Sequence, residues 1–311
     1  MAQLTLRNVT KRYESLTAVD NLSFVVKPGR IFGLLGPNGA GKTSTIRMIA
    51  YITAPDTGVI ELDGEVVGPG TQERMGYLPE ERGLYRRMKV GEQLVYLSML
   101  KGMTRSDARS SVERWLDRFD AISWMSKRTD QLSKGMQQKV QFVATVAHDP
   151  SLLIFDEPFS GLDPINSDIL RDVIFEFREK GKTILFASHR MEQVELICDD
   201  ICLIADGTNL VSGSLRDIKR AAGNNVVEIE FNGDGRFVDE LGSGTDLEVL
   251  TSTPGLARLR MKNPDQANVI LDRARRDSQI IRFEVVQPSL NEIFVDRVSM
   301  HAERRAQENP A

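Results

Sequence analysis

The order of apolar and polar positions along the chain predicts a start that is rich in β-strands. Leu4, Leu6 and Val9 are apolar among polar neighbours, and a second apolar-rich run covers residues 22–26 before a Lys-Pro-Gly-Arg turn. Alternation followed by a turn is typical of half-buried antiparallel strands. The continuous apolar run IFGLL at 31–35 then predicts a buried strand that leads into a glycine-rich loop and a helix.

The periodicity becomes helical between about residues 90 and 150, which predicts an inserted helical subdomain at about 87–150. Thr104 and, three residues later, Asp107 form a capping box at the start of one helix. Apolar residues then recur at spacings of three and four on one face: Ala108, Val112, Trp115, Leu116 and Phe119. We interpret this stripe as core packing rather than as a cofactor site.

Strand-like runs return at 151–156 and 183–189, with a predicted helix over roughly 166–180 between them. A strand, helix and strand in this order predict a βαβ unit and a parallel sheet. We therefore place one α/β domain at 1–219.

The pattern changes again after about residue 220. Val227, Ile229 and Phe231 alternate with polar residues, and a later helix carries an apolar face. That face consists of Ala267, Ile270, Leu271 and Ala274. We predict a small α+β domain at 220–300 and a disordered tail at 301–311.

Composition narrows the class of protein. The chain has 311 residues, 27% charged residues and a net charge of −4, so nucleic acid is not expected as its partner. No apolar run approaches the length of a membrane span, and the first residues do not read as a secretory signal, so we expect a cytoplasmic protein. Cys198 and Cys202 are interpreted as buried apolar residues, with a metal site as the weaker alternative.

The loop after the buried strand carries the strongest chemical signal. Gly36, Gly41, Lys42 and Thr43 fit the pattern G-x-x-x-x-G-K-[ST]. In such loops the backbone N–H groups and the following helix N-terminus close on phosphate oxygens. Lys42 would then neutralise the β and γ phosphates, and the Thr43 hydroxyl would ligate Mg²⁺. A glycine-rich turn without a ligand is the alternative.

Two carboxylates and one histidine follow later apolar strands. Asp156 and Glu157 come after LLIF, where an α/β sheet holds its ligand. We expect Asp156 to hold Mg²⁺ and Glu157 to orient or deprotonate the attacking water. His189 follows TILFAS and is expected near the γ-phosphate. Taken alone, an Asp-Glu pair is more often a solvated turn, and a lone histidine is weak evidence.

The segment LSKGM at 132–136 predicts a second anion site. Ser133 can cap a helix whose free N–H groups would face an anion. The apolar face of that helix consists of Met136, Val140, Val143, Ala144 and Ala147. An ordinary capped helix would look the same, so the order of all these motifs is what gives the segment meaning.

That ordered set resembles the ATP-binding subunit of an ABC transporter over roughly residues 4–215. The resemblance implies an α/β fold, a P-loop NTPase of ABC type with an antiparallel β subdomain and a helical subdomain, and it implies ATP and Mg²⁺ as ligands. GPNGAGKT resembles the Walker A loop, LLIFDE the Walker B strand, LSKGM the signature, SGLDP the D-loop with Asp163, and His189 the switch histidine. By the same resemblance Tyr13 stacks on adenine. The implied nucleotide contacts in the loop are Gly36, Pro37, Asn38, Gly39, Ala40, Gly41, Lys42, Thr43 and Ser44.

The resemblance also implies partners. In this family the signature contacts nucleotide on the opposite subunit, so Ser133 and Gly135 would serve ATP held by Lys42 of a second copy or of a homologous subunit. ATP binding closes such a dimer and hydrolysis opens it. This conformational change would drive a separate integral membrane permease. The permease would face residues 76–105 and hold the protein at the inner face of the membrane.

Three positions depart from the family pattern. Glu80 stands where the Q-loop generally has Gln, and Lys134 and Met136 replace the usual Gly and Gln of the signature. Glu80 is either an anionic Mg²⁺ ligand or merely an acidic residue of the loop, and we favour the first. On that interpretation the catalytic residues are Lys42, Glu80, Glu157 and His189. The segments YLPEERGLY, LSKGMQQKV and PSLNEIFV resemble the ABC-2 type exporters related to bacterial sodium-efflux ATPases. A soluble ABC ATPase acting on ribosomes or DNA, and an inactive scaffold, are the alternatives to an exporter subunit.

Overall fold

The computed structural model describes residues 2–81, 83–223, 225–233, 235–244, 247–263 and 265–308. Contacts within the chain separate two compact units, 1–213 and 214–311. The division falls before the predicted boundary at 219, because a helix that begins after Ser214 runs through that position. Within the described residues, no helix has both the length and the apolar character that a membrane crossing needs.

The first unit contains ten strands and six α-helices among its described residues. In chain order they are β1 (Leu4–Tyr13), β2 (Leu16–Val26), β3 (Ile31–Leu35), α1 (Lys42–Ile49), β4 (Thr57–Leu62), β5 (Glu65–Val66), β6 (Met75–Leu78), α2 (Val90–Leu100), α3 (Arg105–Arg118), α4 (Lys134–Val146), β7 (Leu152–Asp156), α5 (Pro164–Glu179), β8 (Thr183–Ser188), α6 (Met191–Ile197), β9 (Asp200–Ala205) and β10 (Thr208–Ser214). Short 3₁₀ segments cover Pro69–Arg74, Ile122–Trp124 and Thr129–Gln131.

A four-stranded sheet in the order β2-β1-β4-β5 confirms the predicted antiparallel start. Leu4 pairs with Val26 and Leu6 pairs with Phe24 across β1 and β2. Their apolar side chains join one core with α1 and with strands of the second sheet. This core fixes the position of β1, and therefore of Tyr13 at its end.

The second sheet has six strands in the order β10-β9-β3-β8-β7-β6. The pairs β6–β7, β7–β8, β8–β3 and β3–β9 are parallel, as the βαβ pattern predicted. Every residue of β3, β7 and β8 is buried, which explains their continuous apolar sequences. Parallel strands place their carboxyl ends along one edge, where α/β proteins bind ligands.

Helices α2, α3 and α4 form the predicted helical subdomain. The Thr104 hydroxyl caps α3 by accepting a hydrogen bond from Asp107 N at 3.2 Å. Trp115 of α3 and Phe119, directly after α3, contact Phe142 of α4, and Phe142 in turn stacks on Phe155 of β7. The stripe on α3 is therefore core, as predicted, and it anchors α4 to the strand that ends in Asp156.

The second unit contains α7 (Leu215–Ala222), β11 (Val226–Asn232), α8 (Arg236–Gly244), β12 (Glu248–Thr253), β13 (Leu256–Arg260), α9 (Gln266–Asp277), β14 (Gln279–Val286) and α10 (Leu290–Glu308). From β11 to β14 this is a β-α-β-β-α-β arrangement with the sheet order β12-β13-β11-β14. A core on one face of the sheet includes Val227, Ile229, Phe231, Ile270 and Ala274, so the predicted α+β fold is confirmed.

The predicted tail is wrong over residues 301–308. Helix α10 continues to Glu308, since the apolar start of this segment is followed by good helix formers that extend it. Residues 309–311 of the predicted tail lie outside the described residues. Cys198 and Cys202 are free and buried, as expected, and burial raises the pKa of the Cys202 thiol to about 12.

Candidate nucleotide site

A pocket of about 360 Å³ lies at the carboxyl ends of neighbouring strands of the parallel sheet. Its lining brings together most of the predicted site residues. The lining residues are Tyr13, Leu16, Ala18, Asn38, Gly39, Gly41, Lys42, Thr43, Ser44, Glu80, Asp156, Glu157 and His189. Gly36, Pro37 and Ala40 belong to the same loop but do not line the pocket.

The loop between β3 and α1 depends on glycine at two close approaches. Gly41 has a φ of 101°, and a Cβ there would lie 2.3 Å from Ala18 O. A Cβ on Gly36 would lie 2.2 Å from Ile204 O. Larger residues would push the loop away from the strands beneath it. The tight turn lets α1 begin at Lys42 and directs the N-terminus of α1 toward the pocket.

The Lys42 ammonium lies over this loop. Its Nζ donates hydrogen bonds to Gly36 O at 2.7 Å and to Pro37 O at 2.9 Å. Burial lowers the pKa of Lys42, and the carboxylates of Glu157, Asp156 and Glu80 oppose that shift. Lys42 can pair with phosphate oxygens, but the three carboxylates outnumber its charge, so bound phosphate groups need a further cation in the pocket.

Asp156, the last residue of β7, has an unsatisfied oxygen. Its side chain is buried, and Oδ2 has no hydrogen-bond partner among the described residues. Burial, followed by Glu80 and Glu157, raises the pKa of Asp156 to about 6. A buried carboxylate oxygen without a partner, in a pocket that Thr43 also lines, fits a hard cation such as Mg²⁺, which takes few protein ligands beside phosphate oxygens. The described part of the chain holds no cluster of three or more acidic, His or Cys side chains arranged to bind a metal by themselves.

Glu157 has a strained backbone conformation, and His189 and Ser188 hold its carboxylate. Its φ is +50°, which is rare for a residue with a side chain and is often found in active sites. Oε1 of Glu157 accepts hydrogen bonds from His189 N at 2.7 Å and shares a 2.6 Å contact with His189 Nδ1. Oε2 accepts from the Ser188 hydroxyl at 3.0 Å. These partners come from the end of β8, so the two neighbouring strands together orient the carboxylate.

Glu80 lines the pocket from the segment after β6, and α4 holds that segment. Gln141 Nε2 donates hydrogen bonds to Pro79 O at 3.0 Å and to Glu81 O at 3.2 Å, on either side of Glu80. Gln138, one turn earlier on α4, donates to Pro158 O at 3.1 Å, next to Glu157. One helix therefore supports both acidic segments.

Tyr13 lies at the rim of the pocket. Its ring is 40% exposed, and Lys11 Nζ lies 5.6 Å from the ring centroid. The exposed face can accept a planar aromatic base by stacking.

The other predicted contacts do not line this pocket. Ser133 caps α4 by accepting from Met136 N at 3.3 Å, as predicted, and Asp163 caps α5 by accepting from Asn166 N at 2.9 Å. Gly135 lies near the loop before Asp163, since a Cβ on it would be 3.7 Å from Gly161 O. These residues line no part of the pocket that holds Lys42.

Comparison with known proteins decides the family. A model described as "ABC transporter" matches residues 19–160. The uncharacterized ABC transporter ATP-binding protein YhaQ of Bacillus subtilis (strain 168) is 42% identical over 95% of this chain and 98% of its own. The chain belongs to the ABC transporter ATP-binding proteins.

Two further comparisons bear on the branch of this family. The ABC transporter ATP-binding protein NatA of the same organism is 38% identical over 69% of this chain and 91% of NatA. A Nod factor export ATP-binding protein I of Burkholderia pseudomallei (strain 1710b) is 36% identical over 74% of this chain and 77% of its own. A model described as "ATP-binding protein DrrA1-3-like, C-terminal domain" matches residues 213–298, which confirms that an extra domain follows the ATPase.

Solved structures of the family share the fold. The structure titled "Structure of ATP binding subunit of ABC transporter" is 32% identical, with a TM-score of 0.67 over 71% of this chain and 93% of that chain. A dimeric bacterial ABC transporter cassette, 22% identical, has a TM-score of 0.64 over 68% of this chain and 99% of its own. The fold expected from the resemblance is therefore confirmed, and the chain is an ATP-binding protein of the ABC ATPase family.

The sequence missed several residues that build the site of this ABC ATPase. Ser188 supports Glu157, Gln141 supports Glu80, and Leu16 and Ala18 line the pocket. Ser188 directly precedes His189 at the end of a strand, and this position could have indicated that Ser188 lies in the site. Gln141 gave none, because a glutamine on a helix has no motif and its partners lie about 60 positions earlier.

Proposed function

We propose that the protein hydrolyses ATP to drive export through a separate membrane permease. Two copies would close around two ATP molecules and open after hydrolysis. The observation that carries this proposal is the pairing of Glu157 with His189 at 2.6 Å in a pocket that also contains Lys42 and Asp156. An inactive scaffold would not need the Glu157 carboxylate to be held by three hydrogen-bonding groups.

Each residue of the pocket takes one role. Lys42 and the backbone N–H groups of its loop bind the β and γ phosphates, and Tyr13 stacks on the base. Thr43, Asp156 and Glu80 would hold Mg²⁺, which supplies charge neutralisation between the β and γ phosphate oxygens. Asp156 contributes its unpartnered Oδ2 to this set.

Glu157 acts as the base that orients and deprotonates water. Its buried carboxylate accepts three hydrogen bonds, so its direction toward the γ-phosphate is fixed before the substrate arrives. His189 is about half exposed at the mouth of the pocket. When its ring is protonated, Nδ1 can donate to Glu157 while Nε2 donates to the γ-phosphate.

The signature residues complete the site of a second copy. Ser133 and Gly135 stand at the N-terminus of α4, where free N–H groups favour an anion, yet they lie off the pocket of their own chain. Two chains in a head-to-tail pair would place each signature on the other chain's nucleotide. Asp163 follows the loop that contains Gly161, which lies next to Gly135, so it would lie at the interface between the two copies as well.

The export direction is supported by relatives named for export. Residues 76–105, which include the Glu80 segment and α2, would face the permease. The protein would then work in the cytoplasm, bound to the inner face of the membrane through that permease.

The experiment that tests the transporter assignment is purification of the tagged full-length chain from detergent-solubilised membranes. We expect a co-purifying subunit with about six apolar spans of membrane-crossing length. Recovery of ribosomal proteins or DNA in place of such a subunit would favour the soluble ABC ATPase. ATP hydrolysis by the purified chain is measured in parallel, so that loss of the partner and loss of activity are distinguished.

A further inference from the structure

The β14 edge of the C-terminal sheet is open along its outer side. In the order β12-β13-β11-β14, strand β14 pairs with β11 and with no other described strand. An edge strand presents a row of backbone N–H and C=O groups that can pair with another strand. Ile281 is 61% exposed and Val285 is 42% exposed, so this edge also carries aliphatic surface.

The charges on β14 alternate in sign close to the edge. Arg282 lies 3.1 Å from Glu230 and 3.3 Å from Glu284, and it also pairs with Glu228. One guanidinium therefore serves three carboxylates. Glu284 is 55% exposed, and Arg282 is its one ion-pair partner among the described residues. This carboxylate is poised to accept a second arginine.

We infer that β14 pairs antiparallel with β14 of a second copy, so that two C-terminal sheets join into one. Pairing about a two-fold axis must place residues of one face opposite each other, so the axis passes through a residue. Both charged residues of β14 then face residues of the second β14 only when the centre is Arg282, Phe283 or Glu284. A centre at Arg282 opposes two arginines, and a centre at Glu284 opposes two glutamates. A centre at Phe283 places Arg282 opposite Glu284 twice, and it brings Ile281, which lies in a bulge of β14, next to Val285 twice.

The opposite edge of the same sheet lacks this complementarity. Strand β12 has the sequence EVLTST, in which Glu248 is the single charged residue. Charged side chains usually protect an edge strand against pairing. On β14 the Arg and Glu repel in two registers and attract in the third. The bulge at Ile281, between Arg282 and Ile280 in the pairing with β11, leaves 282–286 regular.

The surface of one strand pair is small, and contacts of that size are weak on their own. Pairing of this kind needs no nucleotide, so it would persist when the ATPase units separate. A tether raises the effective concentration of two linked modules to the millimolar range. The tethering of two ATPase units rests on the proposed function, whereas the pairing of the two β14 strands does not.

The test is disulfide trapping in the nucleotide-free full-length chain. A variant with Ile281→Cys and Val285→Cys places thiols on opposed positions, whose Cα atoms in an antiparallel pair lie within disulfide range. Native Cys198 and Cys202 are buried. With copper–phenanthroline as oxidant we expect a covalent dimer. The control is Val269→Cys on α9, where the native residue is 55% exposed, and its yield measures disulfide formation by random collision.

Charge variants decide whether the register is the one inferred. In the same background, Glu284→Arg places an arginine opposite Arg282 twice, and we expect it to lower the trapping yield about tenfold. Glu284→Gln should give an intermediate yield. Arg282→Glu combined with Glu284→Arg exchanges the two charges and should restore the yield. Circular dichroism checks that each variant is folded. A yield equal to that of Val269→Cys, or a yield that Glu284→Arg leaves unchanged, would overturn the inference. ATP hydrolysis by the same samples reports separately on the proposed function.

Discussion

Gln141 on α4 holds the backbone on both sides of Glu80. Its Nε2 donates to Pro79 O at 3.0 Å and to Glu81 O at 3.2 Å, and the side chain is buried. The same helix begins at Ser133, which would contact nucleotide on a second copy. In the proposed dimer, α4 would therefore connect the Glu80 segment, beside one nucleotide, with the Ser133 end of the helix, beside the other.

Gln141→Met keeps the length of the side chain and removes both hydrogen bonds. We expect ATP hydrolysis to fall about tenfold, because each buried hydrogen bond contributes on the order of 1 kcal/mol to the position of Glu80. Steady-state kinetics measure the effect. In a double-mutant cycle, Gln141→Met should add little to Glu80→Ala, since both changes act through one carboxylate.

Thr145→Val is the matched control for this prediction. Thr145 lies one turn further along α4, and its hydroxyl oxygen lies 3.0 Å from Gln141 O and 3.3 Å from Tyr77 O. It donates to the backbone of α4 or of β6, and among the described residues it makes no hydrogen bond to Pro79 or Glu81. We expect a similar loss of stability with nearly unchanged hydrolysis. Equal losses of activity in Thr145→Val and Gln141→Met would show that the effect is a general loosening of α4.

Glu157→Gln should separate nucleotide binding from hydrolysis. The amide preserves the shape of the side chain but cannot take a proton, so we expect kcat to fall by about 10²- to 10⁴-fold. With ATP and Mg²⁺ the variant should accumulate as a dimer, which light scattering coupled to size exclusion measures. If it hydrolyses ATP at the wild-type rate, Glu157 is not the base.

Tyr13→Ala should raise KM for ATP and leave kcat nearly unchanged. Stacking of a base on an aromatic ring contributes about 1–3 kcal/mol and is equal in the ground and transition states, so it affects binding alone. Tyr13→Phe retains the ring and is the matched control. A KM that is the same in both variants would remove the base-stacking role.

His148 predicts a pH dependence of stability. Burial lowers its pKa to about 4, and Nε2 contacts Met75 O at 3.1 Å. Between that value and its ordinary pKa near 6.5 the unfolded chain binds a proton that the folded chain excludes, so stability falls as the pH falls through this window. From pH 7 to pH 5 the loss attributable to His148 is about 2 kcal/mol.

The measurement is urea unfolding at pH 7 and pH 5, followed by tryptophan fluorescence, for the wild type and for His148→Gln. Both tryptophans, Trp115 and Trp124, lie in the ATPase unit. The variant should lose less stability than the wild type over this interval. Parallel losses in the two proteins would mean that His148 is accessible to protons in the folded state.

The sequence predicted the parts of the molecule whose signals are local. The buried runs at β3, β7 and β8, the caps at Thr104 and Ser133, and the glycines of the phosphate loop each follow from short patterns. The side-chain support of the site could not be read in this way. Gln141 and Pro79 are brought together by the packing of a helix against a strand end, and no spacing rule encodes that contact. The end of α10 was missed because its low hydrophobicity was interpreted as a tail, although its Ala, Glu, Arg and Gln residues are good helix formers.

The central claim is that each ATP is held by the Lys42 loop of one copy and by the Ser133–Gly135 helix end of the other. Lys42→Ala and Gly135→Asp should each abolish hydrolysis, and a Cβ at Gly135 meets only ordinary contacts, so the second variant should fold. Mixing the two inactive proteins tests the claim directly, because each mixed dimer contains one intact composite site. We predict recovery of about a quarter of the wild-type rate for random pairing. A mixture as inactive as its components would contradict the shared site.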